Sequence, residues 1–437
     1  MIRQRYRPPK RRPIMAFVIL VLIFCLLSVL VYNLPPVHNR LAWRVEEFRA
    51  SIKYAINPPE EVVFRPGTQK TPSQQTAQLP PQTPTPSPEP SQTSSGPTVA
   101  PSPTPKPTLT PTPLPPEALL SGFTHMYQTW NNCGPANLAM ALTYWDWQGD
   151  QRDTAAYTKP NKRDKNVMPY ELADYVTDET DLSTLVRLGG DLETLKAFIA
   201  AGFPVIVEKS FEGARFDGWM GHYEVVNGYD DTSQTFYVQD SYDGPNLRIP
   251  YDDMLDQWRA FNNTYLVIYP PERETEVLSI LGPHADPNYN YTFTADRASQ
   301  ETATLSGRDR FFAWFNRGSS LVRLHDYSGA ATTYDAAFAN YASIPEDERP
   351  WRILWYQTGP YFAYYYTGRY QDVIDLATTT LDTMNEPILE ESYYWRARAK
   401  IEIGEVDSAI EDLRKSLEHH PGFIPSIELL GKLGVEP

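Results

Sequence analysis

The spacing of hydrophobic and polar positions changes several times along the 437-residue chain. An almost wholly apolar run occupies residues 14–34, and a helix of that length, at roughly 1.5 Å per residue, crosses a hydrocarbon core of about 30 Å. The run predicts a single transmembrane helix; the alternative is a cleaved signal peptide, which has a shorter apolar region and a small-residue cleavage site. Six basic residues within residues 1–13 predict a cytoplasmic N-terminal tail at the cell membrane, with the rest of the chain on the outer side.

Two segments of different character follow the apolar run. Residues 35–65 place hydrophobic and basic positions at an approximate helical period, which fits either a helix lying along the outer membrane surface or a short solvated helix. Residues 66–116 are rich in Pro, Thr and Ser, a composition that cannot bury a core and that favours an extended chain. We expect this second segment to be a linker that holds the remainder away from the membrane.

Residues 118–272 combine helical and alternating patterns. Asn132 is expected to cap a strongly apolar helix that begins at Cys133. Residues 191–202 have the pattern of a helix ended by Gly202, and residues 204–208, 221–229 and 235–240 have the pattern of strands, the last two joined by a short turn. A helical layer followed by an antiparallel sheet predicts an α+β domain.

The last part of the chain is predicted to be helical. Residues 273–305, which contain Gly282, Pro283 and Pro287, are interpreted as a second linker. Residues 306–437 repeat a turn followed by small and apolar positions at Asp326-Tyr327, Gly368-Arg369 and Gly404-Glu405. This register resembles tetratricopeptide repeats, in which packed helix pairs recur about every 34 residues and bind protein partners. The alternative is an irregular helical bundle.

Charge and cysteine content limit the classes of function. The formal net charge is -15 although the first thirteen residues are strongly basic, so the body of the chain is acidic and argues against a nucleic-acid partner. Of the two cysteines, Cys25 lies in the apolar run and Cys133 stands alone beyond it, which leaves no pair for a disulfide in the later domains. The acidic residues around Asp252 lack the spacing of a metal motif, and neither a metal nor another cofactor is predicted.

One set of residue types points to thiol chemistry. Cys133 begins a helix, where the positive end of the helix dipole favours the thiolate. A thiolate nucleophile needs a base, and His125 and His222 are the two histidines of this domain. His222 begins a strand, and Asp240 ends the strand expected to pair with it, so the carboxylate can orient the imidazole. The amide of Gln128 and the backbone N-H of Cys133 are suited to stabilise an oxyanion.

These residues occur in motifs that resemble the papain-like double-glycine leader peptidases, the bacteriocin-processing branch of the cysteine peptidases. The motifs are Gln128-x4-Cys133-Gly-Pro-Ala, Gly202-Phe-Pro-Val-Ile-Val, Gly221-His-Tyr-Glu-Val-Val-Asn-Gly and Val238-Gln-Asp240. The resemblance implies a papain-like fold, with Cys133 as nucleophile, His222 as base, Asp240 as orienting group and Gln128 as oxyanion donor. Gln128 is separated from Cys133 by one residue fewer than is usual in that family, and no transporter accompanies the domain.

Three functions are compatible with these features. The first is a membrane-anchored extracytoplasmic cysteine peptidase that cleaves a peptide or protein, with the repeats recruiting substrate or a protein partner. The second is a surface-tethered scaffold in which the papain-like domain binds peptides without cleaving them and the repeats organise partners. The third is a transpeptidase or amidase that acts on cell-wall peptides. Separately, the alternative for Cys133 is a buried structural thiol, and the alternative for His222 is an ordinary strand residue.

Overall fold

The computed structural model of the chain describes residues 12–34, 37, 45, 48, 52, 64–67, 113–164, 166–212, 218–384 and 386–437. Nearly all of the predicted basic tail, most of the juxtamembrane segment and most of the Pro-rich linker lie outside these residues. The predictions for those three segments therefore stay predictions.

The N-terminal apolar run is helical, as helix α1 (Arg12–Tyr32). Several of its apolar side chains are largely exposed, for example Phe17 at 69% and Phe24 at 70%. Within the parts of the chain that the structure describes, however, no helix combines the length and the apolar composition that a membrane crossing requires. The predicted transmembrane helix over residues 14–34 is therefore not confirmed.

A seven-stranded antiparallel sheet forms the centre of the chain. Its strands are β1 (Glu117–Leu119), β2 (Ser183–Arg187), β3 (Val205–Glu212), β4 (Trp219–Asp230), β5 (Thr235–Asp240), β6 (Gly244–Pro250) and β7 (Tyr265–Tyr269). The order in the sheet is β2-β7-β3-β4-β5-β6, and β1 pairs with the C-terminal end of β4. The strands predicted over residues 204–208, 221–229 and 235–240 correspond to β3, β4 and β5.

Helices cover both faces of this sheet rather than the single face expected from the sequence. They are α2 (Cys133–Thr143), α3 (Gln151–Thr158), α4 (Pro169–Glu179), α5 (Leu192–Ala200) and α6 (Tyr251–Arg259). Ile206 and Val225 pack with α2 and α4, whereas Val205 and Val226 pack with α5 and α6. Successive strand residues point to opposite faces, so the uninterrupted apolar run at the start of β3 requires cover on both sides.

The sequence predicted a linker over residues 273–305. The segment instead forms two further helices, α7 (Glu274–Leu281) and α8 (Pro287–Thr304). Its glycine and prolines mark helix ends: Gly282 follows α7, and Pro287 occupies the first turn of α8. The side chain of Asp286 caps α8 by accepting from the backbone N-H of Asn288 at 2.7 Å. The sequence signals were those of a helix boundary, which the prediction took for a break between domains.

The remaining chain is helical, as predicted. Its helices are α9 (Gly307–Arg323), α10 (Tyr327–Tyr341), α11 (Ile353–Tyr356), α12 (Gly359–Tyr366), α13 (Tyr370–Asp382), α14 (Glu390–Glu402), α15 (Val406–His419) and α16 (Ile424–Lys432). Turns of the same length join α9 to α10, α12 to α13 and α14 to α15. Each turn has one residue at positive φ in the same position, namely His325 (61°), Gly368 (74°) and Gly404 (87°).

The sheet domain and the C-terminal helices share a hydrophobic core. Trp219 and Phe261 of the sheet domain belong to the same buried cluster as Phe312 of α9. Trp219 stacks on Phe261 with ring centroids 5.8 Å apart, and its backbone carbonyl accepts a buried hydrogen bond from Nη1 of Arg352 at 2.9 Å. The start of β4, just before His222, is therefore buried against the helical part.

Candidate active site

The thiol of Cys133 lies at the N-terminus of α2, as the sequence predicts. Asn132 occupies the capping position, but its side chain does not cap the helix. Its Nδ2 instead donates to Oε1 of Gln151 at 2.8 Å. The N-terminal backbone N-H groups of α2 are consequently not satisfied by Asn132, and Cys133, which is partly exposed, lies at the positive end of the helix dipole.

This end of the helix contacts a stretch of β4 that pairs with β3 but not with β5. Strand β5 pairs with β4 only from Val225 onward, so the backbone of Tyr223 is free to contact α2. Its carbonyl accepts from Nδ2 of Asn137 at 2.6 Å, and its N-H is hydrogen-bonded to the sulfur of Cys133. The helix therefore docks against the edge of β4 beside His222, which brings the predicted nucleophile and base together.

The imidazole of His222 connects the thiol to a carboxylate. Its Nε2 lies 3.1 Å from Oδ1 of Asp240, and the charge of the ring acts on the thiol of Cys133. Since Nε2 is engaged by Asp240, Nδ1 is the nitrogen left to exchange a proton with the thiol. Oδ1 of Asp240 is held in turn by the backbone N-H groups of Tyr242 at 2.6 Å and Asp243 at 3.1 Å. Both His222 and Asp240 are buried, at 4% and 2% exposure.

The charges of these three groups reinforce one another. Burial opposes the charge on His222, but Asp240 and the hydrogen bonds to Asp240 and Cys133 raise its pKa to about 10. Burial likewise opposes the thiolate, yet the bond to His222 and the charge of His222 bring the pKa of Cys133 below its ordinary value. The pKa of Asp240 is held well below its usual range, because the attraction of His222 outweighs the effect of burial. The arrangement therefore favours a thiolate beside an imidazolium.

Gln128 is held by a chain of hydrogen bonds. Nδ2 of Asn137 donates to Oγ of Ser241 at 3.0 Å, and that hydroxyl donates to Oε1 of Gln128 at 2.8 Å. The backbone N-H of Gln128 also donates to the carbonyl of Ser241 at 2.8 Å. Because Oε1 is the accepting atom, the amide NH2 is the part of Gln128 that can donate to another group.

Two residues that the sequence analysis missed hold the loop before Cys133. Oε1 of Gln151 accepts from the backbone N-H of Thr129 at 2.8 Å, and its Nε2 donates to the carbonyl of Tyr127 at 2.7 Å. Lys159, which is 5% exposed, donates to the carbonyl of Asn131 at 2.7 Å. No motif marks Gln151 or Lys159, since both lie in or beside α3 with no chemistry of their own.

The other polar groups near the site have separate roles. His125 is not hydrogen-bonded to Cys133; it lies near Gln239 and Asp240, and burial lowers its pKa. Glu224 forms a buried ion pair in which Nζ of Lys209 lies 2.6 Å from its Oε1. Ligand atoms of His222, Glu224 and Asp240 lie within 4.8 Å of one another, but each is engaged by a proton donor or a carboxylate of the protein. The cluster is accounted for as a network of buried charges.

Residues 120–267 match the family described as the Peptidase_C39 like family. The match covers α2, strands β2 to β6 and the loop before α2, and all four predicted site residues lie within it. It confirms the predicted resemblance to the double-glycine leader peptidases, and with it a cysteine-peptidase fold for this part of the chain, followed by a helical part.

The chain is also similar to several solved structures. A putative C39-like peptidase from Bacillus anthracis is 17% identical, with a TM-score of 0.29 over 35% of this chain and 96% of that chain. A double glycine motif protease from an AMS/PCAT transporter, in complex with the leader peptide, is 19% identical, with a TM-score of 0.27 over 35% and 98%. Xylellain, a cysteine protease from Xylella fastidiosa, is 15% identical, with a TM-score of 0.28 over 36% and 87%.

The chain is also similar to curated proteins. Aryl-hydrocarbon-interacting protein-like 1 of Mus musculus and the protein of the same name from Rattus norvegicus are each 26% identical to it over 134 residues. The match covers 28% of this chain and 41% of each relative. The chain thus spans less than half the length of these relatives.

Proposed function

We propose that the protein is a cysteine peptidase that hydrolyses a peptide bond through Cys133, His222, Asp240 and Gln128. The observation that carries the proposal is the position of the His222 ring, whose Nε2 lies 3.1 Å from Oδ1 of Asp240 and whose charge lowers the pKa of the Cys133 thiol. A nucleophile, a base and an orienting carboxylate in this order constitute a catalytic triad.

In the first half of the reaction the thiolate of Cys133 attacks the carbonyl carbon of the scissile bond. A C-S bond forms while the carbonyl π electrons move onto the oxygen, and the oxyanion accepts hydrogen bonds from the backbone N-H of Cys133 and the amide of Gln128. The tetrahedral intermediate collapses, the C-N bond breaks, and His222 gives its Nδ1 proton to the departing amine. The product of this half is a thioester on Cys133.

In the second half, water hydrolyses the thioester. His222, now neutral, takes a proton from water at Nδ1 while the water oxygen attacks the thioester carbon. The C-S bond breaks, the carboxylic acid leaves, and the thiolate and imidazolium are restored. Throughout, Asp240 holds the Nε2-H tautomer and stabilises the charge on the ring.

Labelling with a peptidyl chloromethyl ketone tests this proposal. The full chain should be alkylated at Cys133 at neutral pH, and His222→Ala should slow the labelling by at least about 100-fold, because the thiolate is then no longer stabilised. His125→Ala is the matched control, since that ring belongs to the same domain but does not contact the thiol, and it should label at nearly the wild-type rate. Equal labelling of wild type and His222→Ala would contradict the proposal.

Peptide cleavage then separates the three functions left open by the sequence. Hydrolysis of a peptide mixture adds one water to each pair of products, whereas transfer to an amine acceptor does not, so product masses distinguish a peptidase from a transpeptidase. A protein whose Cys133 reacts with the probe but which binds peptides without cleaving them would correspond to the scaffold.

The cellular setting is a further part of the proposal. The apolar residues 14–34 and the basic residues before them favour a membrane anchor with the peptidase domain outside the cell, and the C-terminal helix pairs favour recruitment of a protein partner. Carbonate extraction of membranes, combined with protease digestion of intact cells, tests this setting. Release of the full chain by carbonate would contradict the anchor, and protection from the added protease would contradict the outward orientation.

A further inference from the structure

A cavity of about 520 Å³ lies between the sheet domain and the C-terminal helices. Glu208 and Phe261 line it from the sheet domain, and Tyr327, Tyr356 and Phe362 line it from the helical part. Pockets of this size, with apolar and aromatic walls and few polar groups, are typical of ligand sites. The catalytic domain without its helical partner would have only one wall of this cavity.

The cavity adjoins the nucleophile. Glu208 pairs across the strands with Tyr223, whose backbone contacts the sulfur of Cys133, and the charge of Glu208 interacts with that thiol. The hydroxyl of Tyr223 donates to the carbonyl of Val167 at 2.9 Å. Val167 directly precedes Met168, which lines the cavity, and a Cβ added at Gly134 would lie 3.3 Å from Cβ of Val167. The Glu208–Tyr223 strand pair and the Val167–Met168 segment therefore link the lining of the cavity to the residues that contact Cys133.

Glu208 is a buried carboxyl group without a cation. It is 5% exposed, and no Lys, Arg or His side chain among the described residues forms an ion pair with it. The same strand pair holds a contrasting case: Glu224, also buried, has Nζ of Lys209 2.6 Å from Oε1. Burial raises the pKa of Glu208 to about 8, so this group is mainly a neutral acid at neutral pH. A cation that reached this group would convert it to a carboxylate with a partner.

The other lining groups fit the same ligand. Aromatic faces attract a guanidinium or ammonium group and pack against its methylene stem. The two basic residues of the lining, Arg323 and His325, are exposed to solvent rather than buried beside Glu208. Glu208 is the one carboxylate among the described residues that line the cavity.

We propose that this cavity binds a basic side chain, arginine or lysine, of the peptide that Cys133 cleaves, with Glu208 as its ion-pair partner. The inference rests on the proposed function, because it assigns a specificity pocket to that site. It also gives the C-terminal helices a direct part in substrate selection, since they supply the aromatic wall.

The test uses the full chain carrying Cys133→Ala, so that binding is measured without cleavage. Peptide pools place arginine, or its neutral isostere citrulline, at one defined position and randomise the others. Competition against a fluorescent peptide should show at least tenfold tighter binding of arginine than citrulline at one position. Adding Glu208→Gln should abolish that difference, whereas the exposed Glu272→Gln should preserve it. Equal binding of arginine and citrulline pools at every position would overturn the inference, whether or not Glu208→Gln folds.

The result is distinguishable from failure of the proposed function. If the wild type cleaves peptides without preference for a basic residue, the pocket assignment fails while the peptidase stands. If the chloromethyl ketone does not label Cys133, the peptidase fails, and the arginine and citrulline pools still decide whether the cavity binds a cation.

Discussion

At the scale of single residues, the site depends on groups that orient the reacting atoms as much as on those atoms themselves. Cys133, His222, Asp240 and Gln128 could be proposed from residue type and order in the sequence. Ser241 and Asn137 could not, because their role arises from a hydrogen-bond chain that joins Asn137 of α2 to Ser241 at the end of β5 and then to Gln128. A serine or an asparagine alone carries no signal of that kind.

The first prediction concerns the pH dependence of Cys133. The pKa of Cys133 is lowered and that of His222 is raised to about 10, so the two groups favour the thiolate and imidazolium pair. Iodoacetamide should therefore alkylate wild-type Cys133 rapidly at pH 7 and lose rate only as acid protonates the thiolate. In His222→Ala, burial still raises the pKa of Cys133, but the imidazole that lowers it is absent. The pKa of Cys133 should therefore rise above its ordinary value, and the alkylation rate at pH 7 should fall by about 100-fold.

Mass spectrometry of the Cys133 peptide measures these rates apart from those of Cys25. His125→Ala, which leaves the contact between His222 and the thiol in place, should keep the wild-type profile. A His222→Ala profile that coincides with the wild type would show that the imidazole does not stabilise the thiolate.

The second prediction concerns the orientation of Gln128. Ser241→Ala removes the hydroxyl that donates to Oε1, so the amide can rotate and its NH2 no longer points reliably at the oxyanion. We expect kcat for peptide cleavage to fall by roughly 10- to 100-fold, less than the loss of an oxyanion donor itself. The pH profile of alkylation should not change, since the thiolate and imidazolium are untouched. Ser233→Ala, in the exposed turn between β4 and β5, is the control; an unaltered kcat in Ser241→Ala would contradict the role.

At the scale of elements, local signals predicted where helices and strands occur but not always what they join. The helix ended by Gly202 and the turn positions before Tyr327, Tyr370 and Val406 follow from residue-level rules and agree with the observed boundaries. The same rules gave a wrong prediction at Pro287: the segment around it was predicted to be a linker, but this proline lies in the first turn of α8. A proline marks the edge of an element, and only the contacts of the flanking residues show whether a packed helix follows.

The third prediction compares two helical glycines. A Cβ at Gly318 of α9 would lie 2.7 Å from ring carbons of the buried Tyr334, whereas a Cβ at Gly431 of α16 meets no atom within 4 Å. Gly431→Ala should raise the free energy of unfolding by roughly 0.5–1 kcal/mol through helix propensity. Gly318→Ala should lower it by about 1–3 kcal/mol, because overpacking displaces Tyr334. Urea unfolding followed by circular dichroism measures both, and changes of the same sign would contradict the packing of α9 on α10.

At the scale of the whole molecule, the sheet domain and the C-terminal helices are joined through a buried core and not through a few surface contacts. Trp219 begins the strand that carries His222, and it packs among Phe261, Phe312 and Tyr356. Since the two sets of elements bury the same side chains, we expect them to unfold together.

The fourth prediction tests that coupling. Arg352→Met keeps apolar volume but leaves the buried carbonyl of Trp219 without its donor, which should lower the free energy of unfolding by about 1–3 kcal/mol. Arg308→Met is the matched control: its ion pair with Glu212 crosses the same interface but is exposed, and its loss should change stability by less than about 1 kcal/mol. Hydrogen exchange in dilute denaturant should show equal loss of protection in both parts of Arg352→Met. Loss confined to the helical part would contradict a shared core.

The sequence by itself determined the candidate chemistry, the resemblance to a peptidase family and the approximate positions of most elements. These depend on residue type and on spacing over a few residues, which the chain carries locally. The tertiary structure decided that α2 docks against the stretch of β4 that does not pair with β5, that Ser241 orients Gln128, and that Glu208 faces a cavity with one wall from the helical part. Each of these depends on contacts between distant residues, which packing and burial select and which no local pattern records.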